Sequence, residues 1–151
     1  MNLSEWQMAN IILLVEDNED HAEMVKQSLD DADVAKEIYW VKDGREALDF
    51  VRNTGSHVNA PRPTLILLDL NLPKASGLEV LKEIKEDHDL KIIPVVMLTT
   101  SDRSEEILSC YRLGVNSFIT KPVKYEDYLD KLKSLENYWL LTNREPTSGS
   151  H

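Results

Sequence analysis

The stretch "TLILLDLNLP" (residues 64–73) decides how this sequence is interpreted. Five of its first six residues are apolar or β-branched, which is typical of a strand buried on both faces. The sixth residue is Asp69, and Asn71 and Pro73 follow it. A buried strand that ends in a carboxylate raises the question of what that carboxylate does.

Similar apolar runs recur along the chain and alternate with amphipathic stretches. Runs at 11–15, 38–41, 64–68 and 94–98, with a short one at 117–119, predict five strands. Apolar residues at helical spacing follow each run, beginning near Ala22, Ala47, Leu78, Ile107 and Tyr125. Five strands that alternate with five helices predict a doubly wound α/β domain, in which helices cover both faces of a parallel sheet.

Length and composition indicate a single globular domain of 151 residues. We expect an N-terminal extension at 1–10, the domain at 11–141 and a C-terminal tail at 142–151. The segment "NTGSHVNAPRP" (53–63) is rich in turn residues and is expected to be an exposed loop.

The net charge of -10 disfavours nucleic acid and an anionic membrane surface as direct partners. The sequence has one cysteine, Cys110, which excludes an intrachain disulfide. It shows neither a signal peptide nor an apolar run of membrane-spanning length, so we expect a cytoplasmic protein.

Polar residues stand where four of the predicted strands end. They are Glu16 and Asp17, Asp69, Thr99 and Thr100, and Lys121. Each has an ordinary explanation alone, such as a helix cap or a surface charge. The carboxyl ends of parallel strands share one edge of the sheet, where ligands of such folds bind. Their coincidence at one edge therefore predicts a functional site.

The acidic members of this group predict a magnesium site. Three carboxylates in one cleft repel each other, and a hard dication offsets that repulsion. We expect Asp17 and Asp69 to be direct ligands, Glu16 to act through a water, and the Asn71 carbonyl to be a further ligand. A bound Mg²⁺ would attract a phosphoryl group, with which Lys121 and Thr99 could interact, and Asp69 is the natural nucleophile.

These residues carry a resemblance to a known family. The segments "VEDN", "LLDLNLPKASGLEVLKEIK", "VVMLTTS" and "FITKPV" resemble the receiver domain of two-component response regulators over roughly residues 10–140. The resemblance implies the strand order 2-1-3-4-5. It also implies that Asp69 accepts a phosphoryl group from a phosphohistidine of a sensor histidine kinase, with Mg²⁺ held by the acidic pair Glu16 and Asp17.

The remaining site residues take their roles from the same resemblance. Thr99 matches the hydroxyl that moves to the phosphoryl oxygen, and Lys121 matches the lysine that pairs with it. Phe118 matches the switch aromatic. Thr100 is expected to narrow access to Asp69. Residues at two further positions, Asn71 and Ser101, match those that tune the lifetime of the phosphate. The protein would then assist its own phosphotransfer and autodephosphorylation, without being an enzyme that turns over a substrate.

Output is expected through protein contact, since the sequence leaves no room for a DNA-binding domain. Four apolar residues in a row, Tyr138, Trp139, Leu140 and Leu141, suggest a homodimer through the fourth helix, fifth strand and fifth helix, although they could pack on their own domain. This ending also resembles the small response regulators that pair with bacterial phytochrome kinases.

Three other functions use related features. A phosphohydrolase of the haloacid dehalogenase type normally needs a second Asp where this chain has Asn71. A nucleotide- or flavin-binding module needs a phosphate cradle after the first strand, and "VEDNED" is acidic instead. A receiver-like scaffold that is never phosphorylated usually lacks one of the key positions, whereas Asp69, Thr99 and Lys121 are all present.

Overall fold

The computed structural model describes residues 10–30, 37–70, 72, 74–99, 104–115, 117–120 and 130. Over these residues five strands alternate with four α-helices. The strands are β1 (Ile11–Val15), β2 (Glu37–Val41), β3 (Leu65–Asp69), β4 (Val95–Thr99) and β5 (Ser117–Thr120). The helices are α1 (Glu19–Asp30), α2 (Gly44–Arg52), α3 (Gly77–Glu86) and α4 (Ser104–Arg112), and 3₁₀ turns lie at Gly55–His57 and Leu90–Ile92. Of the predicted fifth helix the structure describes only Asp130, which is helical.

The five strands form one parallel sheet in the order β2-β1-β3-β4-β5. This confirms the predicted doubly wound architecture and its strand order. β1 lies between β2 and β3, with Val15 opposite Val41 on one side and Leu68 on the other. The ends of β1 and β3 are therefore adjacent, as the site requires.

Successive side chains of each strand pack on opposite faces of the sheet. Leu13 and Val15 join the larger core, which also contains apolar residues of α2, α3 and α4. Ile12 and Leu14 join a second core with Val25 and other residues of α1. Both faces are thus apolar, which explains why these strands are continuous hydrophobic runs instead of alternating ones.

Side-chain caps start the helices that follow β2 and β3. Asp43 accepts a hydrogen bond from the Glu46 amide at 2.8 Å, and the Glu46 side chain accepts one from the Lys42 amide at 3.1 Å. Ser76 accepts from the Glu79 amide at 3.3 Å in the same way. These caps bind orphan amides of the first turn and fix where α2 and α3 begin.

The segment 53–63 is largely exposed, as predicted, and local contacts order it. Asn53 adopts a left-handed conformation (φ 56°), and its side chain donates to the carbonyls of His57 at 3.3 Å and Ala60 at 2.7 Å. The His57 ring packs 5.2 Å from the Phe50 ring and bonds Glu46 at 3.0 Å. Local amide hydrogen bonds and one aromatic contact therefore fold this segment against α2.

Candidate functional site

The site is built where β1 and β3 end. Glu16 and Asp17 directly follow β1, and Asp69 is the last residue of β3. Each of the three side chains offers one oxygen, and these oxygens all lie within 4.8 Å of one another. The structure thus brings together the three carboxylates that were expected at one edge of the sheet.

Burial raises the free-energy cost of bringing these negative charges together. Glu16 is 1 % exposed and Asp69 is 5 % exposed, whereas Asp17 is exposed to solvent. Carboxylates at this separation repel each other, and water screens the buried ones poorly. An all-oxygen donor set with one solvent-facing member suits a hard divalent cation that keeps several waters. The residues present therefore fit a divalent metal ion.

Local hydrogen bonds hold Glu16, the first residue of the acidic pair, in place. The Glu16 amide extends the ladder by donating to the Val41 carbonyl at 3.1 Å, and the Glu16 carboxylate accepts from the Asn18 amide at 3.2 Å. Asn18 caps α1, because its side-chain oxygen accepts from the His21 amide at 2.9 Å. The His21 ring nitrogen lies 3.9 Å from the Glu16 carboxylate. Glu16 is thus connected to the first turn of α1.

Gly77 allows α3 to begin against the backbone of β3. Its amide donates to the Leu70 carbonyl at 2.9 Å, and the Leu70 amide donates to the Leu98 carbonyl at 3.0 Å. A Cβ atom at Gly77 would collide with the Asp69 carbonyl oxygen and would stand 2.7 Å from the Leu70 Cα. Only glycine fits here without moving the backbone of Asp69.

Gly44 has a similar role on the other side of the loop that follows β3. A Cβ atom there would collide with the Ala75 carbonyl oxygen and would lie 2.8 Å from Val80. In the same loop Lys74 has a left-handed conformation (φ 67°), and its ammonium lies 3.7 Å from Asp43. Sequence reasoning missed both glycines. Each glycine stands at the first position of a helix, where serine, alanine or proline would ordinarily be tolerated. A glycine at such a position is the sequence signal for a close backbone approach.

The other predicted site residues are described only in part. Thr99 ends β4, next to β3, and Phe118 lies in β5 opposite Met97. The backbone thus places Thr99 at the same sheet edge as Asp69. The remaining predicted residues lie outside the described ones: Asn71, Thr100, Ser101, Lys121, Tyr138, Trp139, Leu140 and Leu141.

A parallel sheet of this order with an acidic cluster at its carboxyl edge is the arrangement expected of a receiver-type signalling domain, and comparison with known proteins shows this family. The chain belongs to the response regulator receiver domain family, whose model matches residues 12–133. Members of this family are signalling proteins. This assignment favours the receiver interpretation over a haloacid dehalogenase-type phosphohydrolase.

Individual relatives extend the comparison over nearly the whole chain. It is 42 % identical to the response regulator Rcp1 of Synechocystis sp. over 91 % of this chain and 94 % of that protein. It is also 42 % identical to FilR2 of Methanothrix harundinacea, described as a probable methanogenesis regulatory protein, over 90 % of this chain and 87 % of that one.

Solved structures give the same relationship in three dimensions. The Mn²⁺-bound form of Rcp1 has a TM-score of 0.85 and 43 % identity, covering 88 % of this chain and 96 % of Rcp1. The phosphorylated cyanobacterial phytochrome response regulator RcpA has a TM-score of 0.85 and 45 % identity, covering 88 % and 95 %. Within the described part of the chain, no helix is long and apolar enough to cross a membrane.

Proposed function

We propose that this response regulator accepts a phosphoryl group on Asp69 from a phosphohistidine of a sensor histidine kinase, with Mg²⁺ as cofactor. The observation that carries the proposal is the convergence of Glu16, Asp17 and Asp69 within 4.8 Å. Asp69 is only 5 % exposed, so little of it is in contact with solvent.

The acidic residues supply the metal site in this proposal. Asp17 and Asp69 would hold Mg²⁺ directly, Glu16 would act through a bound water, and the Asn71 carbonyl would be a further ligand. When bound, Mg²⁺ would offset the carboxylate charge and would stabilise negative charge on the phosphoryl oxygens. The Mn²⁺-bound form of Rcp1 supports this assignment, because it is a relative of this chain that binds a divalent cation.

The transfer itself is a displacement at phosphorus. A carboxylate oxygen of Asp69 forms the new P–O bond while the P–N bond of the phosphohistidine breaks, and the departing imidazole takes up a proton from solvent. Lys121 and the Thr99 hydroxyl bind the phosphoryl oxygens, and Phe118 turns into the space that Thr99 leaves. Autodephosphorylation is the later attack of water on the same phosphorus.

Residues beside the phosphate set how long it lasts. Asn71 and Ser101 flank the acceptor in the receiver pattern and tune the attack of water, and Thr100 narrows the approach to Asp69. Asn71 has no carboxylate with which to activate water, so we propose a signal that persists, in contrast to rapid turnover.

The test is phosphorylation by a small-molecule donor such as acetyl phosphate. Wild-type protein should be labelled in the presence of Mg²⁺ and should lose labelling when the metal is chelated. Asp69→Asn should not be labelled. Asp30→Asn, which changes an exposed aspartate at the far end of α1, is the matched control and should behave like wild type. Equal labelling of Asp69→Asn and wild type would remove Asp69 as the acceptor.

We further propose that the cognate kinase is of the phytochrome type. The similarity to RcpA, a phytochrome response regulator, supports this. FilR2 has the same 42 % sequence identity as Rcp1 and a different named role, so identity alone does not select the kinase. Competition between a phytochrome kinase and an unrelated histidine kinase from the same source should show at least tenfold faster transfer from the former. Equal rates would refute the pairing.

We also propose a homodimer through the fourth helix, fifth strand and fifth helix, with Tyr138, Trp139, Leu140 and Leu141 at its end. The described part of this surface supports the proposal, because Leu108 and Tyr111 on α4 are 49 % and 51 % exposed.

Sedimentation of Leu108→Lys and Tyr111→Lys, with and without a phosphoryl mimic, tests the dimer. Both variants should be monomeric where wild type dimerises. Val58→Lys changes an exposed apolar residue near β2, at the opposite edge of the sheet, and should leave the dimer intact. A wild-type monomer in both states would contradict the proposal.

The extent and location of the domain complete the proposal. We place the receiver domain at residues 11–141, with an extension at 1–10 and a tail at 142–151, in the cytoplasm with its kinase. The family match at 12–133 supports the core of this range. Limited proteolysis should trim both ends and leave the range 11–141 intact.

A further inference from the structure

Trp40 connects the edge strand β2 to the acidic pair. Its indole Nε1–H donates to the Glu16 carbonyl oxygen at 2.7 Å, which is short for an N–H···O bond. The contact spans 24 positions in the sequence, so it depends on β2 lying beside β1. Packing alone does not require this bond, since any large apolar side chain could cover the same core.

The hydrogen bonds of Glu16 show what this contact does. The Glu16 amide donates to the Val41 carbonyl at 3.1 Å, and the Glu16 carbonyl accepts from Trp40. Both partners belong to β2, so one strand holds Glu16 by both of its backbone groups. In a trans peptide the carbonyl and the following amide point in opposite directions. The indole therefore also sets the orientation of the peptide that leads into Asp17.

The ring itself is held from several sides. It is half-buried and packs against the core that contains residues of α1. The ammonium groups of Lys26 on α1 and Lys42 after β2 lie 5.9 and 5.1 Å from the ring centre, within the range of cation–π attraction. A ring restrained in this way offers its N–H in one direction at little further entropic cost.

We propose that Trp40 is a positioning residue for the metal site: its indole N–H fixes the Glu16–Asp17 peptide so that both carboxylates face Asp69. The two neighbours of β1 then have different roles, since β3 carries the acceptor and β2 orients the acidic pair. This inference rests on the proposed metal site, and it assigns to β2 a function that its apolar sequence does not suggest. Loss of the N–H should weaken metal binding without unfolding the protein.

The test compares two replacements of Trp40. Trp40→Phe removes the donor and part of the ring, whereas β-(3-benzothienyl)alanine replaces the N–H by sulfur and keeps the shape of the ring. Calorimetric titration with Mg²⁺ should give a dissociation constant about tenfold higher for both, in the range of changes around metal ligands. The thermal midpoint of the benzothienyl variant should stay at the wild-type value. Should Trp40→Phe fail to fold, the benzothienyl variant decides.

Tyr39→Phe is the matched control. It removes a donor from the neighbouring residue of the same strand, whose hydroxyl bonds Glu37 at 2.9 Å, and it should leave the Mg²⁺ affinity unchanged. Wild-type affinity in the benzothienyl variant would overturn the positioning role alone. A wild-type protein that binds no Mg²⁺ would overturn the metal site and this inference together.

A second readout uses the indole directly. The chain has three tryptophans, so Trp6→Phe with Trp139→Phe leaves Trp40 as the single indole N–H signal. In ¹⁵N-labelled protein this signal should exchange slowly with solvent and should shift when Mg²⁺ is added. Rapid exchange, or a signal that ignores the metal, would contradict the hydrogen bond to the acidic pair.

Discussion

The two ends of the β1–β3 strand pair differ in their polar groups: one end has neutral hydrogen bonds and the other has clustered carboxylates. At the amino end, the Thr64 hydroxyl accepts from the Ile11 amide at 2.9 Å and donates to the Ile11 carbonyl at 3.0 Å. At the carboxyl end, Glu16, Asp17 and Asp69 gather within 4.8 Å. Neutral hydrogen bonds close one end, whereas the other end concentrates negative charge. The hydrogen bonds at the amino end stabilise the fold, whereas the repulsion among carboxylates at the carboxyl end costs stability and serves the proposed site.

Removal of one charge from the carboxyl end should give the largest effect on the difference between the two ends. Asp17→Asn should weaken Mg²⁺ binding about 100-fold, or ~2.7 kcal/mol, because the variant lacks the direct charged ligand that we propose. In metal-free buffer the same variant should be at least as stable as wild type, since repulsion among the carboxylates falls. Titration calorimetry and urea unfolding measure the two quantities.

Asp20→Asn is the control for that variant. It changes a nearby exposed acid in the first turn of α1 and should leave the metal affinity unchanged. A metal-free Asp17→Asn protein that is clearly less stable than wild type would show that the acidic cluster is a stabilising feature, against the contrast between the two ends.

A change in the backbone contact beneath Asp69 should give the next largest effect. Gly77→Ala should destabilise the protein by about 2 kcal/mol, because the new Cβ collides with the Asp69 carbonyl oxygen and presses on Leu70. Glycine to alanine in a helix ordinarily stabilises by up to about 1 kcal/mol, so the sign of the change is diagnostic. Urea unfolding measures it, and a stabilised variant would refute the close contact.

The amino end should respond in stability and not in function. Thr64→Val keeps the shape of the side chain and leaves the Ile11 amide without its side-chain acceptor, at a cost of about 1–2 kcal/mol. Its Mg²⁺ affinity and its rate of phosphorylation should equal those of wild type. A changed metal affinity would mean that the two ends of the strands are coupled.

Lys85 gives the amino end a small pH dependence. Its ammonium donates to the carbonyls of Lys91 at 3.0 Å and Ile93 at 3.3 Å, and partial burial lowers its pKa below the usual 10.5. Between the lowered pKa and 10.5 the unfolded chain binds more protons than the folded one, so this group adds stability as pH rises. Below that window its contribution is constant.

Unfolding of wild type and Lys85→Met across this alkaline range measures the effect. The difference between them should move in favour of wild type as pH rises towards 10.5. If the free energies of unfolding of the two proteins changed in parallel with pH, burial would not lower the pKa of Lys85.

The smallest effect is expected from the exposed ion pair at the same end. Arg62 donates to the Asp89 carboxylate at 2.9 Å, but the two side chains are 44 % and 79 % exposed. Arg62→Ala should cost less than about 0.5 kcal/mol by urea unfolding, and high salt should remove even that. A loss above about 1 kcal/mol would place this pair among the structural elements of the amino end.

Much of the fold and site follows from the sequence because the signals are local. The apolar runs set the strands within a residue of their observed bounds, and the order of residues along the chain is enough to put carboxylates at the ends of β1 and β3. In the described residues, Asp69 proves to be the last residue of β3 instead of the residue after it.

What the sequence could not supply depends on contacts between distant segments. The Trp40 indole reaches a backbone carbonyl 24 positions away, and Gly77 is required by the approach of α3 to the end of β3. Tyr111 stands four residues after Ile107 in the predicted apolar pattern of α4, yet it is 51 % exposed, whereas its neighbour Cys110 is buried. Such features emerge only when packing is known.

Mass spectrometry of the phosphorylated protein tests the central claim most directly. After incubation with a small-molecule donor and Mg²⁺, wild type should gain the mass of one phosphoryl group, and fragmentation should place it on the peptide that contains Asp69. Asp69→Asn should gain none, and Asp17→Asn should gain it only at much higher Mg²⁺. A phosphoryl group on another residue, or one that persists in Asp69→Asn, would contradict the account.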